Sequence, residues 1–169
     1  KFLELVDKQM KEREISNEYK KLLEYVYDYA KSPTDDKGEY VETSIGNVMR
    51  RVLEAFSSFC YNMKFEEMMC REGILKTIPD EKRKYYENFM CRLALNGESH
   101  MEERVYGLNT LTPYFTKEEK VQTAKSLLLF LSYVNKEHLS CYLASKNDGG
   151  EDKMEEIKSW EKDEKEWLK

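Results

Sequence analysis

The sequence is poor in the residues that most often interrupt helices, with only seven glycines and three prolines among 169 residues. It also lacks segments in which apolar and polar residues alternate with the period of two that is typical of half-buried strands. Apolar residues recur instead every three or four positions along nearly the whole chain. These patterns predict an all-α fold, a single helical-bundle domain of about six to seven helices.

Long apolar runs are missing as well. The longest uninterrupted one, Leu127 to Leu131, is far shorter than the roughly 20 residues that cross a bilayer as a helix. The start of the chain also lacks the pattern of a signal peptide. We therefore expect a soluble, cytoplasmic protein with no membrane partner. The first residue is Lys1 rather than methionine, which favours a segment of a larger protein.

The motifs of the common cofactor and metal enzymes are absent. The sequence contains no GxxxxGK[ST], GxGxxG, HExxH or GxSxG motif and no CxxC pair, so we expect neither a bound cofactor nor a metal. Each cysteine lies in or beside an apolar helical stripe, which predicts buried, reduced thiols that act as small hydrophobic groups. The cysteines are Cys60, Cys70, Cys91 and Cys141.

Charge is distributed unevenly along the chain. The net charge is −5, of which residues 147–169 carry −4 through nine acidic residues and five lysines. The remaining residues are close to neutral, so the chain as a whole lacks the basic character of a nucleic-acid-binding domain. We predict a helical domain over residues 1–146 and an acidic C-terminal helical tail over residues 147–169, either loosely docked or binding a partner.

Helix boundaries follow from caps and breaks. The first helix should end before Ser32-Pro33, and the polar stretch from Thr34 to Glu42 is predicted to be an exposed loop. A second helix should begin near Thr43 or Ser44, both good N-caps, with one buried apolar stripe. That stripe comprises Ile45, Val48, Met49, Val52, Phe56, Phe59, Cys60 and Met63.

The later helices have similar signals. A shorter helix is predicted from Phe65 to about Leu75, and Pro79 suits the first turn of the next, which Gly97 should interrupt. Thr116 and Glu119 form a capping-box pattern at the start of a helix that is apolar all round from Leu127 to Leu131. That helix should therefore lie at the centre of the bundle, followed by a separate short helix carrying His138.

Two histidines are present, and their surroundings differ. His100 lies in a polar, glycine-containing segment, where an imidazole suits either general acid–base chemistry near neutral pH or a hydrogen bond that fastens a helix junction. His138 is four residues before Tyr142 at an otherwise apolar helix, so we expect a structural role for it.

A polar face is predicted on the second helix. Asn47, Arg50, Arg51 and Glu54 recur at helical spacing and therefore lie on one side. Such a face is most often solvated and joined by ordinary ion pairs worth about 0.3–0.5 kcal/mol. The alternative is a phosphate-binding site in which a carboxylate orients an arginine.

Three segments together resemble a known family. Asn47-Val-Met-Arg-Arg-Val-Leu-Glu-Ala-Phe56, Leu95-Asn-Gly-Glu-Ser-His100 and Tyr133-Val-Asn-Lys-Glu-His138-Leu139 are similar to the C-terminal region of the large SMC/ABC-like (AAA-type) ATPases grouped with RloC and PrrC. The resemblance spans roughly residues 40–145. It implies that the ATPase core lies N-terminal to Lys1 and that the domain serves bacterial defence.

The resemblance also implies a catalytic site. RloC and PrrC are anticodon nucleases, related to the helical, metal-independent HEPN ribonucleases, so a HEPN-like fold, tRNA as partner and a homodimer are expected. The implied catalytic residues are His100, Arg50 and Glu54, supported by Arg51, Asn96, Ser99 and Arg92. Leu95 stands where HEPN enzymes have arginine. A non-catalytic helical module for interaction or oligomerisation of the same ATPase is the alternative function.

Overall fold

The computed structural model describes residues 18–31, 38–98, 116–144 and 150–163, and for residues 38–44, 69 and 90–98 it describes the backbone alone. Within these ranges the chain is helical, with turns and no strand. We number the helices in chain order. They are α1 (18–31), α2 (Gly38–Tyr61), α3 (Phe65–Met69), α4 (Glu72–Leu75), α5 (Asp80–Glu98), α6 (Lys117–Leu143) and α7 (Glu151–Ser159). The all-α prediction is confirmed for the described residues.

Helix α6 forms the centre of the bundle, as its sequence predicts. Leu127, Leu128, Leu129, Phe130 and Leu131 are all fully buried, and α6 packs against both α2 and α7. At its start the Thr116 hydroxyl accepts from the Glu119 backbone N–H at 3.2 Å, and the Glu119 carboxylate accepts from the Thr116 N–H at 2.8 Å. The predicted capping box is therefore confirmed.

Helix α2 begins earlier than predicted. It is helical from Gly38, so the expectation of a loop as far as Glu42 and of an N-cap at Thr43 or Ser44 is wrong. Within the predicted apolar stripe, Ile45, Met49, Val52 and Phe56 are buried and Val48, Cys60 and Met63 are partly buried, but Phe59 has an exposed fraction of 42%.

Two further boundaries differ from prediction. The helix expected from Phe65 to Leu75 is split into α3 and α4 at Cys70–Arg71, because the backbone of Arg71 is extended. Helix α5 continues through Gly97 to Glu98, since one glycine costs a helix only about 1 kcal/mol. The break predicted at Gly97 is therefore wrong.

The cysteine prediction is also partly wrong. Cys70 and Cys141 are exposed, and Cys60 is half-buried. Cys70 follows the last residue of the short helix α3, as its C-cap. Apolar spacing placed these thiols near buried stripes but could not resolve on which edge of a stripe each one lies. The side chain of Cys91 lies outside the described residues.

The C-terminal segment packs onto the body as far as residue 163. Ile157 is fully buried, and Met154 and Trp160 are nearly so, while α7 lies against α6. The weak apolar pattern of this segment thus suffices for a docked helix. Trp167 lies outside the described residues, and no described helix is both long enough and apolar enough to cross a lipid bilayer.

Candidate functional site

The polar face of α2 is organised by two ion pairs. Arg50 Nε donates to Glu54 Oε1 at 2.8 Å within the helix. Arg51 pairs with Glu18 of α1, across the helix interface. The Arg50 side chain is largely covered, with 23% of its surface exposed, whereas Glu54 is 46% exposed. The two arginines of the predicted site are therefore held by carboxylates of the fold.

The remaining predicted site residues lie in or near the second motif, Leu95 to His100. Arg92 and Asn96 lie on the backbone of α5, but their side chains are outside the described residues. Ser99 and His100 follow the end of α5 and lie outside the described residues altogether. The described structure thus places Arg50, Arg51 and Glu54 on one helix face. It does not test whether His100 joins them.

A groove of about 600 Å³ adjoins this face between the C-terminal half of α2 and α3. Its lining is Glu54, Ser57, Ser58, Asn62, Met63, Lys64, Phe65, Glu66 and Glu67. Its charged lining residues are three glutamates and one lysine, so the groove carries a net negative charge. A phosphate would be repelled by these carboxylates, so the groove is not suited to an RNA backbone.

The Asn135–His138 element forms a kink inside α6. Asn135 has the non-helical angles φ −155° and ψ 84°, and its Oδ1 accepts from the His138 backbone N–H at 3.0 Å. Asn135 therefore acts as an N-cap for the last two turns of the helix. The two helices predicted here are joined in one helical run with this kink between them. The Asn-x-x-His spacing is the sequence signal for this cap, because an N-cap side chain accepts from the backbone N–H three residues ahead.

His138 lies in an aromatic cluster that connects three helices. Its Nε2 shares a 3.1 Å hydrogen bond with the Tyr19 hydroxyl of α1. Its ring also meets Phe56 of α2 and Tyr142 of α6 at centroid distances of 5.2 and 4.7 Å. These contacts support the structural role predicted for His138.

The ionisable groups of this cluster stay uncharged near neutral pH. Burial lowers the pKa of His138 below its ordinary value of 6.5. Burial also raises the pKa of the Tyr19 hydroxyl and raises that of the Cys60 thiol to about 11, despite a hydrogen bond from Asn135 that opposes the shift. Since the thiolate is the reactive form of cysteine, Cys60 is not an activated nucleophile.

A second set of polar contacts holds α7. Glu156 accepts hydrogen bonds from the Tyr27 hydroxyl and, at 3.0 Å, from Lys31 Nζ. Lys125 Nζ donates to Asp163 Oδ2 at 2.9 Å. Sequence reasoning missed this set, because each contact joins residues far apart along the chain and has no local pattern.

Comparison with known proteins adds no family to this description: no protein-family model, curated protein or solved structure matches the chain. The described residues also contain no group of three histidine, cysteine or carboxylate side chains placed to hold a metal ion.

Proposed function

We propose that the chain is a non-catalytic helical interaction module at the C-terminus of an SMC/ABC-like ATPase of bacterial defence. The observation that carries this proposal is that Arg50 and Arg51 are each engaged by a carboxylate within the fold. A phosphate-binding site needs cations directed at its ligand, and here the arginine charges are already compensated. The acidic groove beside Glu54 supports the same conclusion.

The exposed face of α2 is the proposed contact surface with the ATPase core. It presents Asn47, Arg51, Glu54, Ser58 and Phe59. Among the described residues, Phe59 is the large hydrophobic side chain that is classed as exposed. The Phe59 ring packs edge-on against Tyr19 of α1 at a centroid distance of 5.3 Å and keeps 42% of its surface exposed. A partly exposed aromatic ring on a helix face that also carries polar side chains is typical of the energetic centre of a protein interface.

A binding measurement tests this proposal. The ATPase core that the proposal places N-terminal to Lys1 is expressed separately, and its affinity for the chain is measured by biolayer interferometry. Phe59→Ala should weaken binding about tenfold or more, as truncation of an interface aromatic typically does. Lys158→Ala, an exposed change on α7, is the matched control and should leave the affinity unchanged. Equal affinities for wild type and Phe59→Ala would refute the proposed surface.

A metal-independent RNase of the HEPN-like kind is the second candidate, and it takes the same Arg50–Glu54 pair as a contact that orients the arginine rather than one that compensates its charge. Glu54 holds Nε of Arg50, which is how a carboxylate would orient an arginine toward a developing phosphorane charge. His100 would then supply the acid or base for the ribose 2′-hydroxyl. The site would act on tRNA, in a homodimer if two copies are needed to complete it.

Cleavage of total tRNA without metal separates the two candidates. The nuclease predicts cleavage that His100→Ala abolishes and Glu54→Gln reduces. The interaction module predicts no cleavage by any of the three proteins, with or without the ATPase core. The His100→Ala variant should then bind the core as tightly as wild type does.

A further inference from the structure

Lys82 is a charged side chain inside the domain. It lies in the first turn of α5, and only 5% of its surface is exposed. A buried ammonium group is costly unless it is hydrogen-bonded and its charge is compensated. Asp80, two residues earlier on the same helix, pairs with Arg83. The described contacts of Lys82 lead instead to α6.

Tyr133 of α6 connects Lys82 to the C-terminal segment, which we define as residues 150–163. The Tyr133 hydroxyl accepts from Lys82 Nζ at 2.6 Å and donates to Glu161 Oε1 at 2.9 Å. Lys82 Nζ also lies 5.1 Å from the centroid of the Tyr133 ring, within the range of a cation–π interaction. We call this chain of contacts the Lys82–Tyr133–Glu161 relay. A hydroxyl that accepts from an ammonium group donates more strongly to a carboxylate, so the two hydrogen bonds reinforce each other.

Neutral side chains also hold α5 against α6. The Tyr85 hydroxyl shares a 2.9 Å hydrogen bond with Ser126 Oγ. The Tyr86 ring packs against the rings of Phe130 and Tyr133 at centroid distances of 5.7 and 5.9 Å. These contacts end on α6, whereas the relay continues to the C-terminal segment. Loss of the Glu161 charge should therefore be felt in α5 through Lys82.

We propose that the C-terminal segment stabilises α5 through Tyr133 of α6, because Glu161 supplies a negative charge that compensates the buried Lys82. When the segment leaves α6, Lys82 loses this carboxylate and α5 opens more readily. Helix α5 includes Leu95 to Glu98, so the segment acts on the helix that carries most of the second motif. The relay is a different contact from the exposed face of α2, and the inference does not depend on the proposed function.

Hydrogen exchange of the full chain, followed by mass spectrometry, tests the relay. Glu161→Gln keeps an acceptor for the Tyr133 hydroxyl but removes the charge. We therefore expect the amides of residues 82–90 to exchange about threefold faster or more, since local opening of α5 becomes less costly. Exchange of residues 82–90 at the wild-type rate in folded Glu161→Gln would overturn the proposal.

Asp163→Asn is the matched control. Asp163 lies two residues from Glu161, and its carboxylate accepts from Lys125 of α6 at 2.9 Å. This substitution removes one negative charge from the same segment without touching the relay. It should accelerate exchange within residues 150–163 and leave residues 82–90 unchanged. Equal acceleration of residues 82–90 by Asp163→Asn and Glu161→Gln would contradict a specific role of the relay.

Two further substitutions test whether the effect passes through Lys82 and Tyr133. Tyr133→Phe removes the hydroxyl and keeps the ring, and Lys82→Met removes the buried charge with little loss of volume. In either background, Glu161→Gln should change the exchange of residues 82–90 by less than about 1.5-fold, because residues that act as one unit are not additive. A threefold effect of Glu161→Gln that persists in both backgrounds would assign the coupling to packing and refute the relay. Tyr133→Phe alone suffices for this comparison if Lys82→Met does not fold.

Discussion

Two polar regions of this domain use the same residue types with different consequences. On the exposed face of α2, Arg50 pairs with Glu54 one turn away, and the pair lies outside the apolar core. Around α6 and α7, residues such as Glu156 and Asn135 are bonded to distant parts of the chain and surround buried apolar side chains. The first region is exposed to solvent, whereas the second fixes how the helices are arranged.

The largest difference between the regions, in the free energy of unfolding, is expected when an apolar side chain is truncated in each. Ile157→Ala removes a fully buried side chain of α7 and should lower the free energy of unfolding by about 2–4 kcal/mol. Phe59→Ala, on the exposed region, should lower it by roughly 1 kcal/mol or less. Urea denaturation followed by circular dichroism measures both. Similar losses for the two variants would show that α7 is not anchored as described.

The asparagines provide the next comparison. Asn135→Ala removes the cap inside α6 and should cost about 1–2 kcal/mol, with the lost contact to Cys60 included. Asn47→Ala changes an exposed asparagine of α2 and should stay within about 0.5 kcal/mol of wild type. The same denaturation assay applies, and hydrogen exchange should show weaker protection of the His138 amide in Asn135→Ala. Unchanged protection of that amide would contradict the capping role.

A smaller difference in stability is expected between substitutions of Glu156 on α7 and Glu54 on α2. Burial alone would raise the pKa of Glu156, but the hydrogen bonds from Tyr27 and Lys31 and the Lys31 charge outweigh it and hold the pKa below 4.5. A carboxylate with a lowered pKa stabilises the fold above pH 4.5, and this contribution is lost as the pH falls further. Glu156→Gln should therefore destabilise the protein at pH 7 but not near pH 2. Glu54→Gln should cost no more than about 0.5 kcal/mol at either pH.

The smallest effect concerns His138, a single half-buried imidazole. Its pKa is lowered on folding, so between pH 6.5 and its folded pKa the unfolded chain binds a proton that the folded chain does not. Stability should hence be full above pH 6.5 and decline as the pH falls below it. His138→Gln should flatten this part of the curve in denaturation experiments at pH 5 to 8. A curve that keeps its slope in the variant would assign the dependence to another group.

Sequence periodicity was sufficient for the elements whose environment is uniform along their length. Helix α6 from Leu127 to Leu131 is apolar on every side, so its central position followed without knowledge of its neighbours. The Thr116 capping box was equally readable because both partners lie within four residues. Phe59 was misassigned for the opposite reason: its exposure depends on tertiary packing, in which its ring contacts Tyr19 of α1 while 42% of its surface stays exposed, and spacing along α2 carries no information about that packing.

The candidate site was less accessible to prediction. Spacing placed Arg50 and Glu54 on one face, and the structure joins them, but nothing local indicated that Glu18 would engage Arg51. The contacts of α7 were invisible for the same reason, since pairs such as Lys125 and Asp163 arise from tertiary packing. Whether His100 approaches Arg50 stays a prediction, because His100 lies outside the described residues.

The hydrogen bond from Lys31 to Glu156 joins residues 125 positions apart, and this separation has a consequence during synthesis. At about 5–20 residues per second, the ribosome needs roughly 6 to 25 seconds between making Lys31 and making its partner. Throughout that interval Tyr27 lacks its contacts with Glu156 and Trp160. The Tyr27 side of α1 therefore stays open to aggregation and chaperone binding until α7 emerges.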